Sequence, residues 1–154
     1  MPVKLPAPII QFHFETKSSH PRQRRQLQTF LASIFKKEQV SIASLNYIFC
    51  SDSYLLNINQ QFLKHDDYTD IITFNLGLEK GPVQGEVYIS LERVAENARN
   101  LQITFHQELH RVIFHGALHL CGYKDKTAAD AKLMRKMEDY YLLRYTNWSA
   151  KLNS

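Results

Sequence analysis

The chain has 154 residues, 44% of them hydrophobic, which is the size and composition of one ordinary globular domain with a real core. Its 19 Lys and Arg residues against 15 Asp and Glu residues leave a net charge of +4, a mild basic excess that suits a polyanionic partner without identifying one. Two cysteines cannot form a disulfide framework, and no stretch of about 18 apolar residues is present, so the composition excludes a disulfide-rich secreted domain and a membrane-spanning protein. We expect a single domain over residues 1–145 and a polar tail over residues 146–154, in a cytoplasmic setting.

The first half of the chain is predicted to alternate strands and helices. Residues 9–15 (IIQFHFE) alternate apolar and polar side chains, which is typical of a half-buried strand. A helix is expected from Pro21 to about Lys37, where apolar residues recur at helical spacing, and a second strand over residues 40–50. A short helix capped by Ser51 or Asp52 precedes a third strand over residues 70–76, and turn residues separate this strand from a fourth over residues 86–90. The last two strands are expected to pair, in an antiparallel sense.

The second half of the chain is predicted to be helical. Ser90 is placed to cap a helix that runs to about Asn100, and a longer helix begins near Thr104. The second half of that longer helix is apolar nearly all round, so it should be the buried central helix. Thr127 is placed to cap a last helix. The sequence therefore predicts four strands and about five helices in all.

The central helix and the turn after it carry the sequence HGALHLCGYKD, residues 115–125. His115 and His119 lie four residues apart, so they share one helix face at about 6 Å, the spacing that two imidazoles need to bind one ion. Gly122 is placed to end the helix, which lets Asp125 reach the same point. Three such ligands suit zinc or another divalent ion and leave a position for water, as catalytic sites do. We therefore predict one divalent ion per chain, held by His115, His119 and Asp125.

The alternative is that these histidines are buried polar residues satisfied by hydrogen bonds and that Asp125 is only a turn residue. A second pair, His106 and His110, has the same spacing. On a helical wheel this pair points about 180° away from the first, and no third ligand follows it. We interpret His106 and His110 as surface or structural histidines.

The spacing HxxxHxxGxxD also matches the zinc ligands of metzincin proteases. In those proteases the residue after the first histidine is a glutamate that acts as general base, whereas this chain has Gly116 there. The pattern therefore argues against peptide hydrolysis, and a divergent metalloprotease would need another residue as its base.

The same stretch resembles the HGxLHLxGYDH signature of the YbeY family, bacterial metal-dependent endoribonucleases and ribosomal RNA maturation factors. The resemblance covers most of the chain, because residues 68–74 are similar to the family's PTDVLSFP segment, residues 85–89 to its GDIxIS strand, and residues 134–138 to the MxxxE that follows the metal motif. It implies an α+β fold with a small mixed sheet, a zinc ion, and single-stranded RNA as substrate. It also implies processing of the 3′ end of the small subunit's ribosomal RNA (16S rRNA) and a role in ribosome quality control.

Three positions depart from the family pattern. Asp125 stands where the family has its third histidine, which keeps a ligand but replaces a neutral imidazole by an anion. The family's basic residue just before the PTDVLSFP segment aligns with Leu63, and only Lys64 is adjacent. Glu86 stands where the family has aspartate.

The resemblance and the residues together predict a metal-dependent endoribonuclease. Asp70 is the candidate to orient or deprotonate the attacking water, with the alternative that it only begins a strand or caps a turn. Four cations are predicted to position RNA phosphates: Lys64, Arg111, Lys124 and Lys126. Ribosomal RNA, the small subunit and its proteins are the expected partners. An alternative of a different class is a ribosome-associated RNA-binding factor with a structural metal and little cleavage activity.

Overall fold

The structure, a computed structural model, describes residues 9–17, 21–63 and 69–154. Within those ranges the chain forms four strands and five helices, as the sequence predicts. In chain order they are β1 (Ile9–Phe14), α1 (Arg24–Lys37), β2 (Ile42–Cys50), α2 (Asp52–Leu63), β3 (Ile71–Asn75), β4 (Val83–Ser90), α3 (Leu91–Leu101), α4 (Phe105–Leu120) and α5 (Ala128–Leu152). None of these helices combines the length and the apolar composition that a membrane-spanning segment needs.

The four strands form one mixed sheet in the order β1-β2-β4-β3. β1, β2 and β4 are parallel, and β3 runs antiparallel to β4, which confirms the expected pairing of the third and fourth strands. Successive strand residues point to opposite faces, so Leu45, Tyr47 and Phe49 of β2 are all buried on one face. Val87 and Ile89 of β4 join them in the same core cluster. Helices α1, α3, α4 and α5 pack on this apolar face, whereas α2 packs on the opposite face, where its Leu55 contacts the cluster of Cys50 and Ile72. The α+β fold with a small mixed sheet is confirmed.

Helix α4 is the central helix of the fold, as predicted. Its start is fixed by a capping box, in which the Thr104 hydroxyl accepts a hydrogen bond from the Gln107 amide at 3.1 Å and the Gln107 side chain accepts one from the Thr104 amide at 2.9 Å. It ends before Gly122, whose φ of 106° only glycine adopts readily. Eight of its sixteen residues are buried, and the Tyr47 hydroxyl donates to the Ile113 carbonyl at 2.7 Å. The sheet and the neighbouring helices therefore hold α4 rigidly.

The end of the chain differs from the expectation. The sequence predicts a polar tail over residues 146–154, but residues 146–152 continue α5 to Leu152. The reason is aromatic packing: the half-buried Trp148 ring lies 5.8 Å from the Phe30 ring of α1 and 6.2 Å from the Tyr145 ring, between centroids. Tertiary contacts of this kind stabilise a helix more than polar composition destabilises it.

The second histidine pair lies in a structural surrounding, away from the HGALHLCGYKD residues. The His110 ring packs between Tyr145 and Phe114, with centroids 5.1 and 6.3 Å away. Its Nε2 is buried, and no hydrogen-bond partner for that atom lies in the described residues. Burial, followed by the positive charge of His106, lowers the pKa of His110 from 6.5 to about 4.

We expect the half-buried, neutral His110 to destabilise the fold in acid. Folding lowers the pKa of His110, so the unfolded chain binds a proton at this histidine more readily than the folded chain does. The stabilisation of the folded state that is present above about pH 6.5 is therefore lost as the pH falls towards 4. Between about pH 7.5 and about pH 5, the free energy of unfolding of the wild type should fall by about 2 kcal/mol more than that of His110→Phe. Urea unfolding at the two pH values measures this difference, and equal losses in both proteins would show that His110 titrates normally.

Candidate active site

A cleft with a volume of about 740 Å³ brings most of the predicted site residues together. Its walls come from α4, α5, β3 and the end of α2. All three predicted metal ligands line it, as does Asp70, which immediately precedes β3. Two of the predicted phosphate-binding cations, Arg111 and Lys126, line it as well. The sheet and the central helix therefore bring predicted site residues that are far apart in sequence, from Asp70 to Lys126, into one cleft.

His115 is held between two carboxylates in this cleft. Its Nδ1 lies 2.7 Å from Glu138 Oε2, and its Nε2 lies 3.2 Å from Asp125 Oδ2. Burial lowers the pKa of His115, but the hydrogen bond with Glu138 and the negative charges of Glu138, Asp125 and Asp70 outweigh burial and raise it above its ordinary value. The 3.2 Å separation is also close to the roughly 3.3 Å expected between two ligands bound to one tetrahedral zinc ion at 2.0–2.1 Å.

His119 lies one turn further along α4, exposed at the wall of the same cleft. In the described ranges, no group of three or more His, Cys, Asp or Glu side chains lies close enough together to hold a metal ion as it stands. His115 and Asp125 are thus paired, and the convergence of His119 with them stays a prediction. The donor set itself fits a divalent ion, because it combines two imidazoles on one helix face with a carboxylate.

Glu138 of α5 is the residue whose role the sequence did not reveal. It is 6% exposed and accepts hydrogen bonds from two α4 side chains, His115 Nδ1 and the Arg111 guanidinium, the latter at 3.0 Å. A carboxylate on the second nitrogen of a histidine is the usual support of a histidine that binds a metal. Two signals were available: the resemblance of residues 134–138 to the family's MxxxE segment, and an acidic residue on the apolar stripe of α5 between the buried Met134 and Tyr141.

Arg111 has a different surrounding from the one expected of a free phosphate contact. Besides Glu138, its guanidinium contacts Asp139 Oδ1 at 2.9 Å. The hydrogen bonds with these two carboxylates outweigh burial and raise the pKa of Arg111. Arg111 therefore fixes the position of Glu138 in the cleft, and the prediction that it contacts RNA stays untested.

Two further carboxyl groups line the cleft. Asp70 and Glu108 both have a raised pKa, with burial as the largest cause in each. Glu108 is 5% exposed, and its Oε1 has no hydrogen-bond partner in the part of the chain that the structure describes. The Asp70 carbonyl accepts from the Ser90 amide at 3.0 Å, so this residue also begins the pairing of β3 with β4. Both proposed roles of Asp70, at the strand start and in the cleft, are compatible with its position.

The remaining predicted cations are distributed differently. Lys126 is exposed at the cleft, and Lys124 is exposed on the same turn after α4. Lys64 lies outside the described residues. Leu63, which aligns with a basic residue of the resembled family, lines the cleft.

Comparison with known proteins confirms the resemblance. A family model described as Endoribonuclease YbeY matches residues 10–146. Among curated proteins, the endoribonuclease YbeY of Cytophaga hutchinsonii is 52% identical over 130 residues, covering 84% of this chain and 91% of that protein. The endoribonuclease YbeY of Flavobacterium psychrophilum is 46% identical over 131 residues, covering 85% of this chain and 92% of that protein.

A solved structure agrees with the fold. The solution structure of the protein TM1509 from Thermotoga maritima is 31% identical in sequence, with a TM-score of 0.65 and coverage of 93% of both chains. The family model, two relatives above 40% identity and this shared fold all span most of the chain. The chain therefore belongs to the endoribonuclease YbeY family.

Proposed function

We propose that the chain hydrolyses phosphodiester bonds of single-stranded RNA in the cleft between α4 and α5, with a divalent ion held by His115, His119 and Asp125. The observation that carries the proposal is the position of His115, with Nδ1 on buried Glu138 and Nε2 directed at Asp125. In metal sites, a carboxylate commonly accepts a hydrogen bond from one ring nitrogen of a histidine and orients the other ring nitrogen toward the metal. Membership of an endoribonuclease family supports RNA as the substrate.

Zinc is the first candidate for the ion, since imidazole and carboxylate ligands both suit it. When bound, such an ion supplies Lewis-acid chemistry to a phosphoryl oxygen and to a water molecule. Asp125 adds an anion where an imidazole would be neutral, so ions that prefer oxygen ligands are also compatible with the site.

The chain's own residues have separable tasks in this proposal. Glu138 keeps the His115 proton on Nδ1, which leaves the Nε2 lone pair free to bind an ion. Asp70, whose pKa burial raises, is placed to orient or deprotonate a water molecule in the cleft, and a higher pKa makes a carboxylate a better base. Lys126 and Lys124, both exposed beside Asp125, are placed to contact RNA phosphates.

The position of Gly116 weakens the protease alternative. A Cβ atom at residue 116 would lie 2.9 Å from Val87 Cγ1 and 3.1 Å from Ile71 Cδ1, so this side of α4 packs directly on β3 and β4. A glutamate there would point into the sheet instead of the cleft. The general base of the metzincin pattern therefore has no place at this position.

We further propose that the natural substrate is ribosomal RNA. The protein would act in the maturation of the 16S rRNA 3′ end and in ribosome quality control. We propose the cytoplasm as its location, and the small ribosomal subunit and its proteins as its partners. The support is the family assignment, because the described residues that line the cleft contain no feature that by itself selects one RNA.

Cleavage measured together with binding tests the proposal. We expect chelated protein to bind a single-stranded RNA with an affinity that falls steeply with salt, and to cleave it only after zinc or manganese is added back. Double-stranded RNA of the same sequence is the control and should stay intact. Tight, salt-sensitive binding without products at any metal concentration would instead identify an RNA-binding factor with a structural metal.

A further inference from the structure

A second cleft, with different lining residues, runs between α1 and α5 and has a volume of about 510 Å³. We call it the α1–α5 groove. Its lining includes two cations, an indole, an aromatic ring and small polar groups: Phe30, Ser33, Arg144, Asn147, Trp148 and Lys151. No carboxylate is among the described residues that line it. Cations combined with aromatic rings are typical of sites that bind single-stranded nucleic acid.

The indole of Trp148 is a fixed platform in this groove. It is half-buried, and its ring packs against Phe30 and Tyr145 at centroid distances of 5.8 and 6.2 Å. Because Tyr145 is itself buried in the core, the indole is anchored from below while part of it lines the groove. An aromatic ring held in this way loses little conformational entropy when a base stacks on it.

Positive charge is concentrated at the edge of the groove. Arg144 Cζ and Lys37 Nζ lie 5.3 and 5.6 Å from the centroid of the exposed Tyr140 ring. The hydrogen bond of Lys37, together with the charge of Arg144, lowers the pKa of the Tyr140 hydroxyl. Two cations gathered at one exposed ring produce a local positive potential that favours an anionic partner.

The acidic residues nearest in sequence do not form ion pairs with these cations. Glu38, next to Lys37, accepts hydrogen bonds from the Tyr123 and Tyr141 hydroxyls, and Asp139, next to Tyr140, pairs with Arg111. None of the ion pairs among the described residues involves Lys37, Arg144 or Lys151. These three cations are therefore free of ion pairs within the described residues, and a phosphate backbone would complement them.

The groove and the catalytic cleft use different sides of α5. Arg144 and Lys151 are 6 and 13 residues beyond Glu138, which places them about 9 and about 20 Å further along the helix axis and about 130° around it. If one part of an RNA strand lies in the cleft at Glu138, the part that reaches the groove is several nucleotides further along the strand. A short RNA would fill the cleft alone.

We propose that the α1–α5 groove binds a second segment of the single-stranded RNA substrate, with Lys37, Arg144 and Lys151 contacting phosphates and Trp148 stacking on a base. This inference rests on the proposed RNA-cleaving function and extends it, because it assigns the enzyme a binding surface for RNA outside the cleavage site. With this second binding surface, the affinity of the protein for RNA depends on the length of the RNA.

The test compares Arg144→Glu/Lys151→Glu with Lys80→Glu/Arg99→Glu, a control pair that removes the same charge from exposed positions elsewhere. Arg144→Glu/Lys151→Glu is the groove variant, and we expect it to raise the Kd for a single-stranded RNA of about 20 nucleotides about tenfold or more. It should also reduce the slope of log K against log salt by about 1.4, which is about 0.7 for each lost phosphate contact. Cleavage of an RNA of about five nucleotides should be unchanged. Arg144→Gln/Lys151→Gln should show a smaller loss in the same direction and guards against misfolding of the reversed variant.

Several results would overturn the inference. If the wild type cleaves RNA and the groove variant binds the long RNA like the control pair, the groove is not an RNA site. If both pairs weaken binding equally, only net charge matters. If polyglutamate displaces the long RNA as effectively as unlabelled single-stranded RNA does, the groove binds acidic protein segments. A wild type that neither binds nor cleaves RNA would overturn the proposed function, and this inference with it.

Discussion

Replacing His115 by alanine is expected to reduce metal-dependent RNA cleavage by more than about a hundredfold. Losing a supporting carboxylate behind a metal-binding histidine costs 10- to 100-fold, so losing the histidine itself should cost more. The same variant should lose its high-affinity metal binding, because only one imidazole and one carboxylate of the proposed set remain. Initial rates of cleavage of a fluorescent single-stranded RNA, with zinc in excess, measure the effect.

The matched control is His106→Ala on the same helix. It makes the same change, from histidine to the helix-favouring alanine, at a position on the side of α4 that points away from His115. We expect this variant to keep cleavage within about twofold of the wild type. Equal losses in both variants would assign the effect to the stability of α4, and undiminished cleavage by His115→Ala would refute the assignment of the site.

The second large effect is expected from Glu138→Gln. Glutamine keeps the shape of the side chain but removes the charge that stabilises the His115 proton on Nδ1, so zinc affinity and kcat/KM should each fall about 10- to 100-fold. The free energy of unfolding should fall by about 1–3 kcal/mol, because the Arg111 guanidinium loses one of its two charged partners. Zinc titration with a chromophoric competitor, together with urea unfolding, separates the two effects.

Asp139→Asn is the control for Glu138→Gln. It removes the other carboxylate of Arg111, whose side chain is 59% exposed compared with 8% for Glu138. Exposed ion pairs contribute about 0–1 kcal/mol, and Asp139 has no contact with His115 among the described interactions. We expect near-normal zinc affinity and cleavage. If Asp139→Asn weakens zinc binding as much as Glu138→Gln, the important group is Arg111 instead of the carboxylate behind His115.

Asp125 gives the cleft an electrostatic character that a third histidine would not. With Asp70, Glu108 and Glu138 already lining the cleft, a further carboxylate makes its surface less suited to a polyanion. A divalent ion at this place would offset that repulsion as well as supply Lewis-acid chemistry. The dependence of RNA binding on metal should therefore be stronger here than in a cleft with three neutral imidazoles.

Local features of the fold were predictable from the sequence. The hydroxyls of Ser90, Thr104 and Thr127 cap α3, α4 and α5 where the sequence places them, because capping depends only on residues within one turn. The strand order β1-β2-β4-β3 was not predictable, because it depends on contacts between distant segments. The same limit explains residues 146–152, whose polar composition predicts a tail and whose Trp148 packs on α1.

The candidate site divides in the same way. His115, His119 and Asp125 lie within eleven residues, so helical geometry and one glycine were enough to predict a common location. Glu138 comes 23 residues after His115 and reaches it only through the packing of α5 on α4. The pairing of Arg111 with two α5 carboxylates has the same origin. Sequence spacing therefore indicated the candidate ligands, and tertiary structure was needed to reveal which side chain contacts His115 from α5.

The most direct test is the metal content of the protein, purified without chelators or affinity metals and then titrated while RNA cleavage is followed. We expect about one equivalent of zinc or another transition metal per chain, with cleavage rising in proportion to occupancy and both lost in His115→Ala. Less than about half an equivalent after remetallation, or full cleavage by the metal-free protein, would contradict a metal-dependent active site at His115, His119 and Asp125.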